Sequence, residues 1–209
     1  MKIRNILDKI DENQLFIPAF QREYVWKRED AKQLIDSLLK DYPTGTMLTW
    51  ETSNPPELKG PHKYSEQQGS VKLLLDGQQR ITTLYMLIKG EIPPYYTKEE
   101  ILHPIMGLFV HVQTLELSYY MKTKMEGNPY WQNITEIFKR VVRSKNIVRT
   151  LKAQGNNVDD ELDDLIDDNM LKIQNIVDRE FPEQIIPPKA LIKEAIDIFY
   201  KVNASGVAL

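Results

Sequence analysis

A mixed α/β fold with a helical second half is what the sequence predicts, and three observations predict it. Leu73 to Leu75 is a continuous apolar run, within a strand candidate at Val71 to Leu75, that enters a turn at Asp76-Gly77. An apolar-periodic segment follows and stops at Gly90, so the stretch reads as strand, turn and helix. Residues 29–40 carry apolar side chains at helical spacing and are followed by a β-prone run. Beyond residue 91 the long periodic segments are helical. The chain divides on this reading into an α/β core at 1–90 and a hairpin plus helical part at 91–209, the two forming one continuous domain.

Taken in order, Leu15-Phe16-Ile17 is a short strand ahead of Pro18, leading into a loop through Trp26. The helix at 29–40 places Ala31, Leu34, Ile35, Leu38 and Leu39 on one face. It ends at Asp41-Tyr42-Pro43, because a proline drives the preceding residue out of the α region. Thr46 to Thr49 is a strand, and the polar, proline-rich residues 53–69 form an exposed loop. Val71 to Leu75 is the next strand and Gln78 to Lys89 the helix after it. Leu108 to Val112 and Leu115 to Tyr119 make a hairpin. Residues 135–154 form one basic helix, broken by Gly155-Asn156-Asn157, and residues 160–179 form an acidic one. Ile185-Ile186 is a short strand before Pro187-Pro188, and Ala190 to Val202 is the last helix.

Composition narrows the function. With no cysteine, disulfides and thiolate metal sites are excluded, which fits a reducing cytoplasm. No apolar run reaches the roughly 18 residues of a membrane span. The N-terminus has no signal-peptide core. A net charge of −3 does not draw nucleic acid to the chain as a whole, so any DNA contact needs a local patch. His62, His103 and His111 have no metal-ligand spacing, and neither a Walker A loop nor G-x-G-x-x-G is present.

The chemistry gathers at Asp76 to Arg80, and two readings of that turn stand. Asp76 at an N-cap with Gln79 three residues on is a capping-box pattern, with Asp accepting a backbone N–H and Gln reaching back. The other reading is an anion site. Arg80 in a first helical turn opposes the helix dipole by roughly 0.3–1 kcal/mol, and a bound phosphate reverses that sign. Arg80 should then be dispensable for folding. Gly77 would let backbone approach the ligand. Tyr24 and Trp26 read as core aromatics ahead of base-stacking ones.

Three stretches, "IPAFQREYVWKRED", "LLLDGQQRITTLYML" and "AIDIFYKVNASGVAL", occur in that order. Together they resemble the N-terminal domain of GmrSD-type, modification-dependent restriction proteins. The DGQQR hallmark matches at Asp76 to Arg80. I-P-x-x-Q-R-x-Y-x-W matches at Ile17, Pro18, Gln21, Arg22, Tyr24 and Trp26. The closing motif matches at Phe199, Asn203, Gly206 and Leu209. The resemblance implies a ParB/sulfiredoxin-like core, binding of a nucleoside triphosphate (NTP) with Mg2+, and hydrolysis coupled to restriction of modified phage DNA. It makes Asp76 a Mg2+ ligand or a group orienting the attacking water. Arg80 and Arg22 become neutralisers of phosphate charge, and Gln78 and Gln79 positioners of water or phosphate oxygens. Gln21, Gly77, Asn203 and Gly206 complete a pocket that the Gln21-Arg22 loop should share with the Asp76 turn. DNA cutting is expected from a C-terminal HNH-type nuclease region or partner subunit. The chain stops inside the third motif, so a fragment of a longer protein is expected.

The alternative is a non-catalytic DNA-sensing module. Lys139, Arg140, Arg143, Lys145, Arg149 and Lys152 form a basic cluster suited to phosphate contact. The acidic segment from Asp159 to Asp168 offers a plainer explanation, a helical hairpin of complementary charge. That acidic run could also suggest a metal-dependent nuclease, but it reads first as a solvated helix face.

Overall fold

The computed structural model describes residues 1–61, 64, 65, 69–103 and 105–204. The chain opens with α1 (Ile3–Asp11), which buries Ile3, Ile6, Leu7 and Ile10, an i, i+3, i+4, i+7 stripe. A four-stranded mixed sheet of order β1-β3-β2-β7 follows. β1 (Leu15–Phe16) runs parallel to β3 (Val71–Asp76), β2 (Met47–Thr52) antiparallel to β3, and β7 (Glu183–Ile186) parallel to β2. Between them lie α2 (Arg28–Leu39) and α3 (Gln78–Lys89).

The sheet explains why Leu73, Leu74 and Leu75 follow one another in β3 without alternation. Leu74 faces the main core, with Ile17, Ile35 and Ile81. Leu73 and Leu75 face a second, smaller core with Phe16, Leu48, Trp50 and Ile186. A strand buried on both faces needs no polar side. The second core is roofed by α8 (Ile192–Ala204), which contributes Ala195, Ile198 and Phe199.

A three-stranded antiparallel sheet, order β5-β4-β6, comes from β4 (Leu108–His111), β5 (Leu117–Tyr119) and β6 (Trp131–Asn133). Around it lie α4 (Lys122–Met125), α5 (Ile134–Phe138), α6 (Ser144–Ala153) and α7 (Asp160–Gln174). The buried faces of α5, α6 and α7 join the same main core as α1, α2 and α3.

The mixed α+β class, the strand before Asp76 and the helix from Gln78 agree with the sequence reading. Several local expectations do not hold. The single basic helix is two, α5 and α6, separated where Arg140 takes a φ of +57°. The acidic helix ends at Gln174, and a 3-10 turn carries the chain to Asp178. α1 and β6 were not anticipated. The loop at 53–69 is not wholly exposed: Lys59 is buried, its amide donates to the Ile17 carbonyl, and Leu58 bridges to Pro18. His111 lies in the hairpin as expected and His103 in irregular chain, while His62 lies outside the described residues.

Candidate functional site

The turn from β3 into α3 is built around Gly77, which serves as the N-cap with φ +98°. That left-handed conformation strains any side chain. A Cβ there would also stand 3.3 Å from both Arg80 Nη2 and Met47 Cγ. The capping box is absent. Asp76 is the last residue of β3 rather than the cap, and no side chain among the described residues caps α3. Among the described residues the Asp76 carboxylate meets the Arg80 guanidinium and accepts none of the first-turn amides. Those amides are left for another acceptor.

Gln79 does not reach back either. Its Oε1 accepts the amides of Val25 (2.9 Å) and Trp26 (3.3 Å), and its Nε2 donates to the Glu23 carbonyl at 2.9 Å. One buried amide thus pins the loop that follows β1. Gln21 ties the same loop down from the other side, its Nε2 donating to the carbonyls of Leu75 and Leu74 at the end of β3. Lys59 completes the frame. Its Nζ donates to the carbonyls of Gln21 (3.0 Å) and Arg22 (3.1 Å) and pairs with Glu23 at 3.1 Å.

These ties bring the Gln21-Arg22 loop against the Asp76 turn, as the sequence reading required. The two line one cleft of about 690 Å3 together with Phe20, Trp26, Phe199 and Tyr200. Tyr24 is fully buried in the main core, while Trp26 packs on that core and also borders the cleft.

Arg80 is largely buried in the cleft wall. It donates to the carbonyls of Thr44 (2.5 Å) and Thr46 (2.7 Å) and lies 3.4 Å from Asp76 Oδ2. Burial pulls its pKa below the ordinary value, and the Asp76 carboxylate pulls it back up. Gly45 is required beside it: φ is +83°, and a Cβ would run into Nη1. Arg22 differs. It is exposed, and its guanidinium has no ion-pair partner among the described residues. Gln78 is 3% exposed; its Nε2 donates to Tyr96 Oη at 2.5 Å, and its Oε1 accepts no hydrogen bond among the described residues. Burial, then Glu23, pushes the Tyr96 phenol up, so it stays protonated. Among the described residues the cleft thus gathers one cation without an ion pair, one carboxylate and an uncapped helix N-terminus, with the unsatisfied Gln78 Oε1 buried in its wall.

Asn203 lies in the last turn of α8, and Gly206 lies outside the described residues. Lys139 and Arg140 border a cleft shared with Arg4 and Lys89, and Arg143 borders a different one. α6 and α7 pack together and Ser144 donates to Asp167 at 2.6 Å, but among the described residues no ion pair joins their opposite charges. No group of three or more His, Cys, Asp or Glu among the described residues gathers to hold a metal, the acidic α7 included. Lys59, Tyr96 and Phe20 were missed as site components. The one sequence cue was Phe20's place beside Gln21-Arg22.

Comparison with known proteins adds a second line. An uncharacterized protein of Methanocaldococcus jannaschii is 38% identical over 97 residues, covering 41% of this chain and 17% of that protein. The match therefore spans under a fifth of that relative's length. Residues 3–209 match the GmrSD restriction endonuclease N-terminal domain, the whole chain but its first two residues. With the DGQQR turn and the Gln-Arg loop facing one cleft, the chain belongs to the family of GmrSD restriction endonuclease N-terminal domains.

Proposed function

We propose that the chain is the nucleotide-binding, NTP-hydrolysing regulatory domain of a modification-dependent DNA restriction protein. The observation that supports this best is the cleft itself. Arg22, an uncapped α3 and the unsatisfied Gln78 Oε1 converge there, although they come from segments more than fifty residues apart. Backbone amides at a helix N-terminus and a guanidinium both favour a polyphosphate. Arg22 would bind the phosphate chain directly, and Arg80 would add its charge from the wall. Asp76, half-exposed beside Arg80, would accept a proton or hydrogen bond from the attacking water. Phosphoryl transfer asks mainly for this kind of positioning and charge stabilisation. The single carboxylate suits Mg2+ arriving with its nucleotide, since that ion needs one or two carboxylates beside phosphate oxygens. When bound, Mg2+ would neutralise charge on the phosphates. DNA recognition and cutting would then be shared with the nuclease region or a partner subunit.

Calorimetric titration of the intact protein with ATP or GTP and Mg2+, alongside a phosphate-release assay, tests the proposal. Arg22→Ala should weaken binding about tenfold or more through loss of charge-assisted hydrogen bonds. Asp76→Asn should still bind and lose most hydrolysis. No binding by the parent protein, or parental binding by Arg22→Ala, would overturn the assignment.

DNA sensing is the second reading. It is supported by Lys139, Arg140, Arg143 and Arg149, all exposed and without an ion pair among the described residues. Phosphate-backbone contact by such residues would make DNA affinity fall steeply with salt.

A further inference from the structure

The cleft carries a second chemistry that the phosphate-binding groups do not use. Phe20 comes from the loop after β1, and Phe199 and Tyr200 come from α8; all three line it. Phe20 and Phe199 have ring centroids 6.0 Å apart, and Phe199 and Tyr200 5.4 Å apart. Phe20 is 43% exposed and Tyr200 63% exposed, while Phe199 is anchored in the small core beneath α8. Single exposed aromatics are ordinary on a protein surface. Three contiguous ones at the mouth of a polar cleft are not explained by packing, because the outer two are left half in water.

Both ring pairs meet at an interplanar angle of 58°. The rings are tilted, not stacked face to face, so the exposed Phe20 and Tyr200 do not lay their faces flat on Phe199. Ring faces in reach of a polyphosphate seat suit one kind of ligand part: a flat, polarizable heterocycle attached to that polyphosphate. We propose that Phe20, Phe199 and Tyr200 form a nucleobase subsite, with the base stacking on the exposed rings and the phosphates directed to Arg22 and the α3 N-terminus. This rests on the nucleotide-binding reading above and adds to it where the base sits and why a nucleotide is preferred to bare polyphosphate. α8 is then part of the ligand site as well as a roof on the sheet.

The test compares a nucleoside triphosphate with inorganic tripolyphosphate, each with Mg2+, by calorimetric titration of the intact protein. The parent protein binds the nucleotide more tightly than tripolyphosphate. Phe20→Ala and Tyr200→Ala each weaken nucleotide binding roughly 5- to 150-fold, the range for loss of base–aromatic stacking. Both leave tripolyphosphate binding unchanged, and Tyr200→Phe restores the parental nucleotide affinity. Arg22→Ala weakens both ligands alike. Circular dichroism confirms that each variant is folded. If the parent binds tripolyphosphate as tightly as nucleotide, or if the aromatic variants weaken both ligands equally or neither, the subsite is wrong while the phosphate site stands. If the parent binds neither ligand, the nucleotide reading fails and the subsite fails with it.

Discussion

Arg80 stands in the first turn of α3, where its charge opposes the helix dipole, yet its side chain is only 15% exposed. Its donors explain the placement. They satisfy two backbone carbonyls 34 and 36 residues earlier, on the turn that delivers the chain into β2. The expectation that the residue is dispensable for folding therefore does not follow from the structure. Arg80→Ala should cost about 2–4 kcal/mol, since two carbonyls lose charged donors in a largely buried setting. Arg80→Lys should recover only part, because a point ammonium cannot match a planar fork that reaches both acceptors. Urea unfolding measures this, and parental stability in Arg80→Ala would return the guanidinium to the ligand as its main partner. The sequence could show that a cation sat at an unfavourable position. It could not show the acceptors, because they are main-chain groups on a distant segment that carry no residue-type signal. Arg22 was legible for the opposite reason: beside Gln21 it had only its own motif to recommend it, and its charge has no ion-pair partner among the described residues.

Between β1 and α2 the chain has no regular structure, and Gln79 holds that loop in place of a hydrogen-bonded ladder. An amide is suited to this, since it accepts from Val25 and Trp26 at one end and donates to Glu23 at the other. Gln79→Ala should speed hydrogen exchange at the Val25 and Trp26 amides roughly tenfold or more, with β3 unaffected, because the opening is local. Gln79→Glu should keep the acceptor for those two amides while setting a carboxylate oxygen against the Glu23 carbonyl. Unchanged exchange at Val25 in Gln79→Ala would mean that Lys59 and Gln21 alone fix the loop. The elements readable from sequence were those with a long period or a sharp stop: α2, β3, and α3 closed by Gly90. β6 is three residues long and acquires its identity from pairing with β4. The break between α5 and α6 falls at Arg140, with no glycine or proline to announce it, and tertiary packing sets the left-handed residue there. α1 did carry a legible stripe, but its charged neighbours and shortness hid it.

At the scale of the whole molecule, the cleft joins parts that the main core does not hold equally. α3 and the loop after β1 rest on the large core, which also runs through the second sheet and α5 to α7. α8 rests on the small core, on the far face of the first sheet, and reaches the cleft with Phe199 and Tyr200. Neither the parallel pairing of β7 with β2 nor the seat of α8 could be read from local sequence, because both depend on contacts across more than a hundred residues. A ligand spanning Arg22, Asp76 and Tyr200 would cross-link the small core to the large one. Since it binds the folded state, it should stabilise by about 2.7 kcal/mol at a hundredfold excess over Kd. The protection should also be uneven. Hydrogen exchange should slow most in α8 and in the loop from Phe20 to Trp26, and least in β4, β5 and β6, whose packing the cleft does not touch. Arg22→Ala should abolish both the rise in Tm and this pattern at the same nucleotide concentration. Uniform slowing across both sheets would indicate global stabilisation through a site elsewhere. Slowing confined to the loop would place the ligand on the Gln-Arg and DGQQR segments alone and leave α8 as a roof, its exposed tyrosine serving some other contact.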